Sequence, residues 1–329
     1  MSNARRLSTI QALTIAGLGA IAGVIWLGTG GTPVLQAIVI SFCGGAVLAG
    51  MLLLGSDAWM EELQKALIAN SALVFVIIGG LWGLYLVYSV GTGTLRTGSI
   101  FTMALYLSLP FFLLSSSRGA LRGTWLDAAT ILWIWLPLEF GIIRRVLAPV
   151  AGTNFQYPFA QGLAINMGII AFAAWRRFPG IGYRYEIDRK KISTALSAFL
   201  LFAAIGIPLG FAIHFIGWAF TLRKLALAPA LFLGIFLFTA IPEELLFRGL
   251  IQNWFERVTG NRKLGWIVAS IIFGASHLNN GPPVPNYKYF LMASVAGLFY
   301  GFAWQRTGSL TVSAMTHALV DCVWSVAFR

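Results

Sequence analysis

The sequence predicts an all-α fold, a polytopic bundle of transmembrane helices. Three observations carry that expectation. Of 329 residues, 58% are hydrophobic and only 10% are charged, where a soluble domain carries roughly 25% charged residues. Apolar runs of about 20 residues, the length that crosses a bilayer, recur from one end of the chain to the other. Basic residues gather in the short connections between these runs, as they do on the cytoplasmic side of membrane proteins.

Taken in order, the runs give about eleven spans, or as few as about nine if the short ones do not cross. The first, 10–28, follows "MSNARRLSTIQ". No small-x-small cleavage site precedes the next run, so it reads as a retained helix and not a signal peptide. Then come 34–54, 66–90, 99–116, 128–143 and 159–175. The basic connection "RRFPGIGYRYEIDRKK", 176–191, is the best boundary in the chain. It divides N-terminal transmembrane helices of unassigned role, 1–191, from a C-terminal core, 192–329. That core holds spans 194–220, 229–257, 264–277, 287–305 and 307–328. The run 229–257 is longer than a bilayer needs and is expected to tilt or project. Gly19-x-x-x-Gly23 and Gly297-x-x-x-Gly301 allow helices to approach closely, and they read as packing features.

The net charge is +12, yet no stretch concentrates it into a nucleic-acid patch. Arg5, Arg6, Arg118, Arg122, the 176–191 connection, Arg257, Arg262 and Lys263 fall on one side of an eleven-span chain. Arg96, Arg144, Arg145, Arg223, Lys224 and Lys288 fall on the other. The bias places the N-terminus in the cytoplasm. Cys43 and Cys322 each lie inside an apolar run, which argues against a disulfide framework and against a thiolate zinc cluster.

Ionisable residues inside spans are costly unless paired, and they mark function by default. Glu243, Glu244, Arg248, His277, His317 and Asp321 all fall in the C-terminal spans. Counted from the expected cytoplasmic helix ends, Glu243, His277 and His317 lie ~21, ~20 and ~15 Å deep at about 1.5 Å per residue. They are expected to meet near mid-membrane. Glu244 and Arg248 are i and i+4, acid first, the favoured order for a pair. Glu243 points about 100° away from that face, free of the cation, as a general base should be. His317 and Asp321 share a face, as do Phe273 and His277. Taken alone, Glu244–Arg248 reads as a buried ion pair, and either histidine equally as a helix–helix hydrogen bond or as a chemical group. The convergence favours a site. His214 has no acidic neighbour and reads as a core histidine. Glu139 reads as snorkelling or as pairing locally with Arg144 or Arg145, with a substrate-side role as the alternative.

Glu-Glu-x-x-x-Arg, then Phe-x-x-x-His, then His-x-x-x-Asp in consecutive apolar helices resembles the CPBP family. These are the type II CAAX prenyl proteases and bacteriocin-processing intramembrane proteases, also called Abi. The resemblance covers roughly 190–329. It implies a peptidase whose Glu243 activates water held by His277, with Glu244 and Arg248 bracing the site and His317 and Asp321 facing the oxyanion. The family's last position is Asn or Asp. An Asp at 321 repels an oxyanion unless protonated or shared with a cation, so Asp321 is either neutral or orients His317. A zinc site on Glu243, His277 and His317 is the alternative, although His-Glu-x-x-His is absent; the metal-free assignment already gives each residue a role.

The expected protein is therefore an intramembrane endopeptidase in a prokaryotic plasma membrane. It acts on a membrane-associated peptide or protein, with the bilayer as its solvent and no nucleic-acid partner. A non-enzymatic immunity or scaffold protein, and a proton-coupled transporter, are the alternatives; the lack of an internal repeat counts against the last.

Overall fold

The computed structural model describes residues 3–150 and 153–328, without the side chains of residues 3–7 and 144. Among the described residues the regular elements are helices, and the one isolated extended pairing is an antiparallel bridge between Trp218 and Phe328. Large apolar side chains such as Ile10, Leu18, Phe42, Phe101, Leu200 and Ile271 remain exposed. In lipid that is the favourable arrangement, because a helix satisfies its own backbone and presents apolar side chains outward. By length and composition, eight helices can cross a membrane, and the chain is an integral membrane protein.

The chain forms two compact units, Met1–Pro179 and Gly180–Arg329. The first contains α1 (Asn3–Thr29), α2 (Val34–Leu54), α3 (Asp57–Ala69), α4 (Leu73–Gly91), α5 (Thr97–Ser115), α6 (Trp125–Glu139), the single turn α7 (Ile142–Val146) and α8 (Gln156–Trp175). Small residues set the α1–α2 crossing: a Cβ on Gly23 would stand 2.8 Å from Ser41 Oγ. The predicted span 66–90 is in fact α3 and α4. They part at Asn70, whose side-chain oxygen accepts the Ala72 N–H at 3.0 Å and turns the chain.

Arg176 opens the basic connection 176–191. It is fully buried against Asp127. Glu139 accepts a hydrogen bond from Trp135 Nε1 at 3.1 Å; its expected pairing with Arg144 lies outside the described residues.

The second unit opens with the extended segment 180–188 and continues through α9 (Arg189–Ala212), α10 (Leu222–Thr259), α11 (Arg262–Ala275), α12 (Tyr287–Thr307) and α13 (Leu310–Ala327). The opening segment belongs to this unit because Gly182 O accepts the Leu310 N–H at 2.9 Å and Arg184 O accepts from Thr311 Oγ1. The predicted span 194–220 stops early, at Ala212. His214 has φ +54° and is exposed, so the reading of it as a core histidine was wrong. Glycines bring α12 onto α11: a Cβ on Gly274 would meet the Phe290 carbonyl at 2.6 Å, and one on Gly301 would meet Trp266 Cδ1 at 2.4 Å. The expected role of Gly297 and Gly301 in close packing therefore holds.

Candidate active site

Helix α10 runs for 38 residues, about twice what a bilayer needs. Its winding is uneven. Pro242 has no N–H to give to the carbonyl four residues back. The ladder loosens to π geometry over Phe236–Ala240 and again over Leu245–Gln252, around a short α turn, Ile241–Glu244. Such widened turns recur at functional sites because they re-aim side chains that a regular helix would hide. Here the two glutamates occupy the turn between them.

Glu244 is wholly buried and fully engaged. Its Oε2 lies 3.2 Å from Arg248 Nε, a charge pair without good hydrogen-bond alignment. Ser313 Oγ makes a short contact to the same oxygen, and also lies 2.8 Å from the Tyr300 carbonyl. Oε1 receives His317 Nδ1 at 2.9 Å. Arg248, also wholly buried, sends Nη2 to the Gly297 carbonyl at 3.2 Å. Its guanidinium carbon stands 5.0 Å from the Phe273 ring centre and 5.6 Å from that of Tyr300. Two aromatic faces thus supplement the carboxylate in holding the cation.

Glu243 is different. Its Oε2 is buried and has no hydrogen-bond partner, and lies 3.8 Å from His317 Nε2. The same Nε2 is 3.3 Å from Asp321 Oδ2. The imidazole of His317 stacks on Tyr300, with ring centres 4.5 Å apart and planes 14° from parallel. His277 holds the Phe273 carbonyl through Nδ1 at 2.8 Å, and its ring packs beside Phe273 at 4.7 Å, as its i, i+4 spacing led one to expect. Tyr289 closes the other side of His277 at 4.8 Å.

A cavity of about 260 Å³ opens here, lined by Glu243, His277, His317 and Asp321 together with Phe202, Tyr289 and Trp324. The structure therefore brings Glu243, Glu244, Arg248, His317 and Asp321 into one connected cluster and sets His277 on the wall of the same cavity. Sequence reading missed Ser313 and Tyr300. Ser313 had a signal, since Ser313, His317 and Asp321 fall at i, i+4 and i+8 on one helix face. Tyr300 had little, since a tyrosine in an apolar helix is usually core.

The donor set does not match a catalytic zinc site as placed. Among the described residues no three His, Cys, Asp or Glu side chains converge as metal ligands. Both ring nitrogens of His317 already face carboxylates.

Residues 224–323 match the family described as Type II CAAX prenyl endopeptidase Rce1-like. Neither the curated proteins nor the solved structures give a match. The matched stretch lies wholly in the second unit and contains every residue of the cluster. The second unit thus contains a stretch similar to the type II CAAX prenyl endopeptidases, which supports the CPBP resemblance of the cluster.

Proposed function

We propose that the protein is an intramembrane endopeptidase that cleaves a peptide bond of a membrane-associated protein or peptide with a water molecule activated by Glu243. The observation that supports this most is the difference between the adjacent glutamates. Glu244 is occupied by Arg248, Ser313 and His317, and has nothing left to offer a substrate. Glu243 keeps a carboxylate oxygen unpartnered beside the cavity.

The roles follow from hydrogen-bond chemistry. The Phe273 carbonyl can only accept, so His277 Nδ1 carries the proton and Nε2 keeps a lone pair. A water between Glu243 and His277 donates to both and keeps a lone pair for the scissile carbonyl. The water oxygen attacks the carbonyl carbon while Glu243 takes a proton. The carbonyl oxygen becomes the oxyanion, and collapse expels the amine, to which Glu243 returns the proton. His317 donates its Nδ1–H to Glu244, and as the imidazolium, flanked by Glu244 and Asp321, it also carries an Nε2–H that meets the oxyanion. Asp321 orients that N–H and does not itself face the negative charge.

In proteoliposomes, the wild-type protein is expected to cleave membrane-embedded peptides, read by mass spectrometry of the products. Glu243→Gln removes the base and keeps the shape, so hydrolysis is lost and the melting temperature holds. Turnover within tenfold of wild type would sink the assignment. Wild-type protein that cleaves nothing favours an immunity or scaffold role, and substrate-driven proton flux favours a transporter.

We infer, counting α6 as a sixth crossing ahead of the 176–191 connection, that this connection and the N-terminus both face the cytoplasm, an orientation that the basic connections support. A lone cysteine at Lys190, in a Cys43→Ala, Cys322→Ala background, is then shielded from an impermeant thiol reagent in intact cells. Labelling from outside inverts the orientation.

A further inference from the structure

The second unit holds another cavity, of about 480 Å³, where α12 hands over to α13. The proteolytic chemistry does not use it. Arg184, Lys191, Arg257 and Arg262 line it, against Glu186 and Glu256. Both acids are engaged locally. Glu186 Oε2 is 3.4 Å from Lys191 Nζ. Glu256 Oε1 accepts from Gln252 at 3.1 Å and from Gln305 at 2.8 Å, and its Oε2 is 3.8 Å from Arg262 Nε. The lining therefore keeps an excess of positive charge.

Two further lining groups point the same way. Trp304 and Ser309 are each 5% exposed, and neither Trp304 Nε1 nor Ser309 Oγ has a partner. An indole N–H can only donate, and left unpaired in a buried place it is costly. Ser309 stands at the N-cap of α13, yet its hydroxyl accepts nothing from the first turn. Leu310 N–H is taken by Gly182 O. The cap hydroxyl is thus unspent at the positive end of an 18-residue helix. A donor-only indole, an uncommitted hydroxyl, a helix N-terminus and a basic excess want one kind of occupant, a multivalent acceptor with negative charge.

We propose that this cavity binds a phosphate-type oxyanion, supplied either as free phosphate or as the headgroup of an anionic phospholipid. The test reads binding and not proteolysis, so it stands or falls independently of Glu243. Full-length protein in neutral detergent is titrated with inorganic phosphate by calorimetry, against chloride of matched ionic strength. In parallel, the protein is reconstituted in nanodiscs of mixed phosphatidylglycerol and phosphatidylcholine, and lipids that remain bound after extraction are counted by mass spectrometry.

Saturable phosphate binding, weakened about tenfold by Trp304→Phe and by Arg262→Gln, supports the site with free phosphate as the source. Selective retention of phosphatidylglycerol, lost in the same variants, supports it with the lipid as the source. Trp304→Phe keeps the ring and drops the donor. Should it fail to fold, Arg262→Gln carries the test alone, since Arg262 is 66% exposed. No binding in either arm, or binding unchanged by the folded variants, overturns the proposal.

Discussion

Among the described residues each unit buries one arginine completely against a carboxylate, and the two pairs are built to opposite ends. In the first unit Arg176 meets Asp127 twice, Nε to Oδ1 at 2.8 Å and Nη2 to Oδ2 at 3.2 Å. Its remaining donors reach the carbonyls of Ala120 at 2.7 Å and Arg122 at 3.0 Å. Asp127 also closes a capping box with Thr124 at the start of α6. Every polar group there has its partner, and the result is a clamp on two loops. In the second unit Arg248 meets Glu244 once, at 3.2 Å, and its Nη1 has no hydrogen-bond partner. Next to it Glu243 keeps an unpartnered oxygen beside a cavity. Buried charge alone does not distinguish a site from a brace. Incomplete satisfaction beside an open space does, because reactants need the partners that a finished network has already given away.

The sharpest way to break this contrast is to remove one partner from each pair. Asp127→Ala strands Arg176, and Arg248→Ala strands Glu244. Breaking a buried pair costs about 3–5 kcal/mol, so both variants should melt earlier and express less. They should part on activity. Assayed at a temperature where each is still folded, Asp127→Ala keeps wild-type turnover, while Arg248→Ala is inactive because Glu244 no longer fixes His317. An Arg248→Ala protein that is fully stable and merely slower would make Arg248 a substrate contact instead.

Within the site, the next largest effect separates His277 from Asp321. If His277 holds the attacking water, His277→Ala should lose about 10²–10³-fold in turnover, the scale of a lost acid–base partner. Asp321→Asn should stay within about tenfold, because an amide still accepts the His317 N–H through its oxygen. Elemental analysis of the purified protein belongs beside these rates. Stoichiometric zinc, with activity lost on chelation and restored on zinc return, would overturn the glutamate mechanism, and His277→Ala and His317→Ala should then both release the metal.

The same contrast explains what was legible in the sequence. Apolar runs gave the helices because a span must satisfy its backbone internally and shield it with apolar side chains. They could not give the break at 213–221, where α9 ends and His214 turns to a positive φ. Hydropathy there stays high, and only tertiary geometry, including the Trp218–Phe328 bridge, decides it. Glu243, Glu244, Arg248, His277, His317 and Asp321 stood out because charge in an apolar helix is conspicuous. Arg176 did not, since a basic residue at a helix end looks solvated until Asp127, 49 positions earlier, is seen beside it. Ser313 and Tyr300 were hidden for a related reason: uncharged side chains are common in membrane helices, and the role of each comes from a neighbour on another helix.

Ser313 offers a smaller and more selective test. Its hydroxyl sits on Glu244 and touches nothing that reacts, so it is a positioning residue. Ser313→Ala should lower kcat about tenfold and leave KM unchanged, the size of one hydrogen bond to a charged group. Ser313→Thr keeps the hydroxyl and should recover most of the loss. Equal defects in the two variants would mean that the position matters only for packing.

The smallest effect belongs to a third pair, exposed on α3, and it sets the baseline for the other two. Lys65 Nζ lies 2.7 Å from Glu61 Oε1, closer than Arg248 lies to Glu244, but both side chains are more than half exposed. The hydrogen bond and the charge of Lys65 hold the Glu61 carboxyl below its ordinary range, and Glu61 raises Lys65 in return. The sign of the linkage is therefore fixed. The carboxylate's contribution is present above its unfolded pKa and fades as pH falls through the lowered folded value. The ammonium's contribution is present below its unfolded pKa and fades as pH rises through the raised one. Between those limits the pair is intact, but solvent screens it, and about 1 M salt shortens the Debye length to roughly 3 Å. Lys65→Gln should leave both turnover and melting temperature at wild-type values near neutral pH, in low salt and in high. A clear, salt-sensitive drop in melting temperature would mean that closeness outweighs burial in these pairs, and the contrast between Asp127–Arg176 and Glu244–Arg248 would then need a different cause.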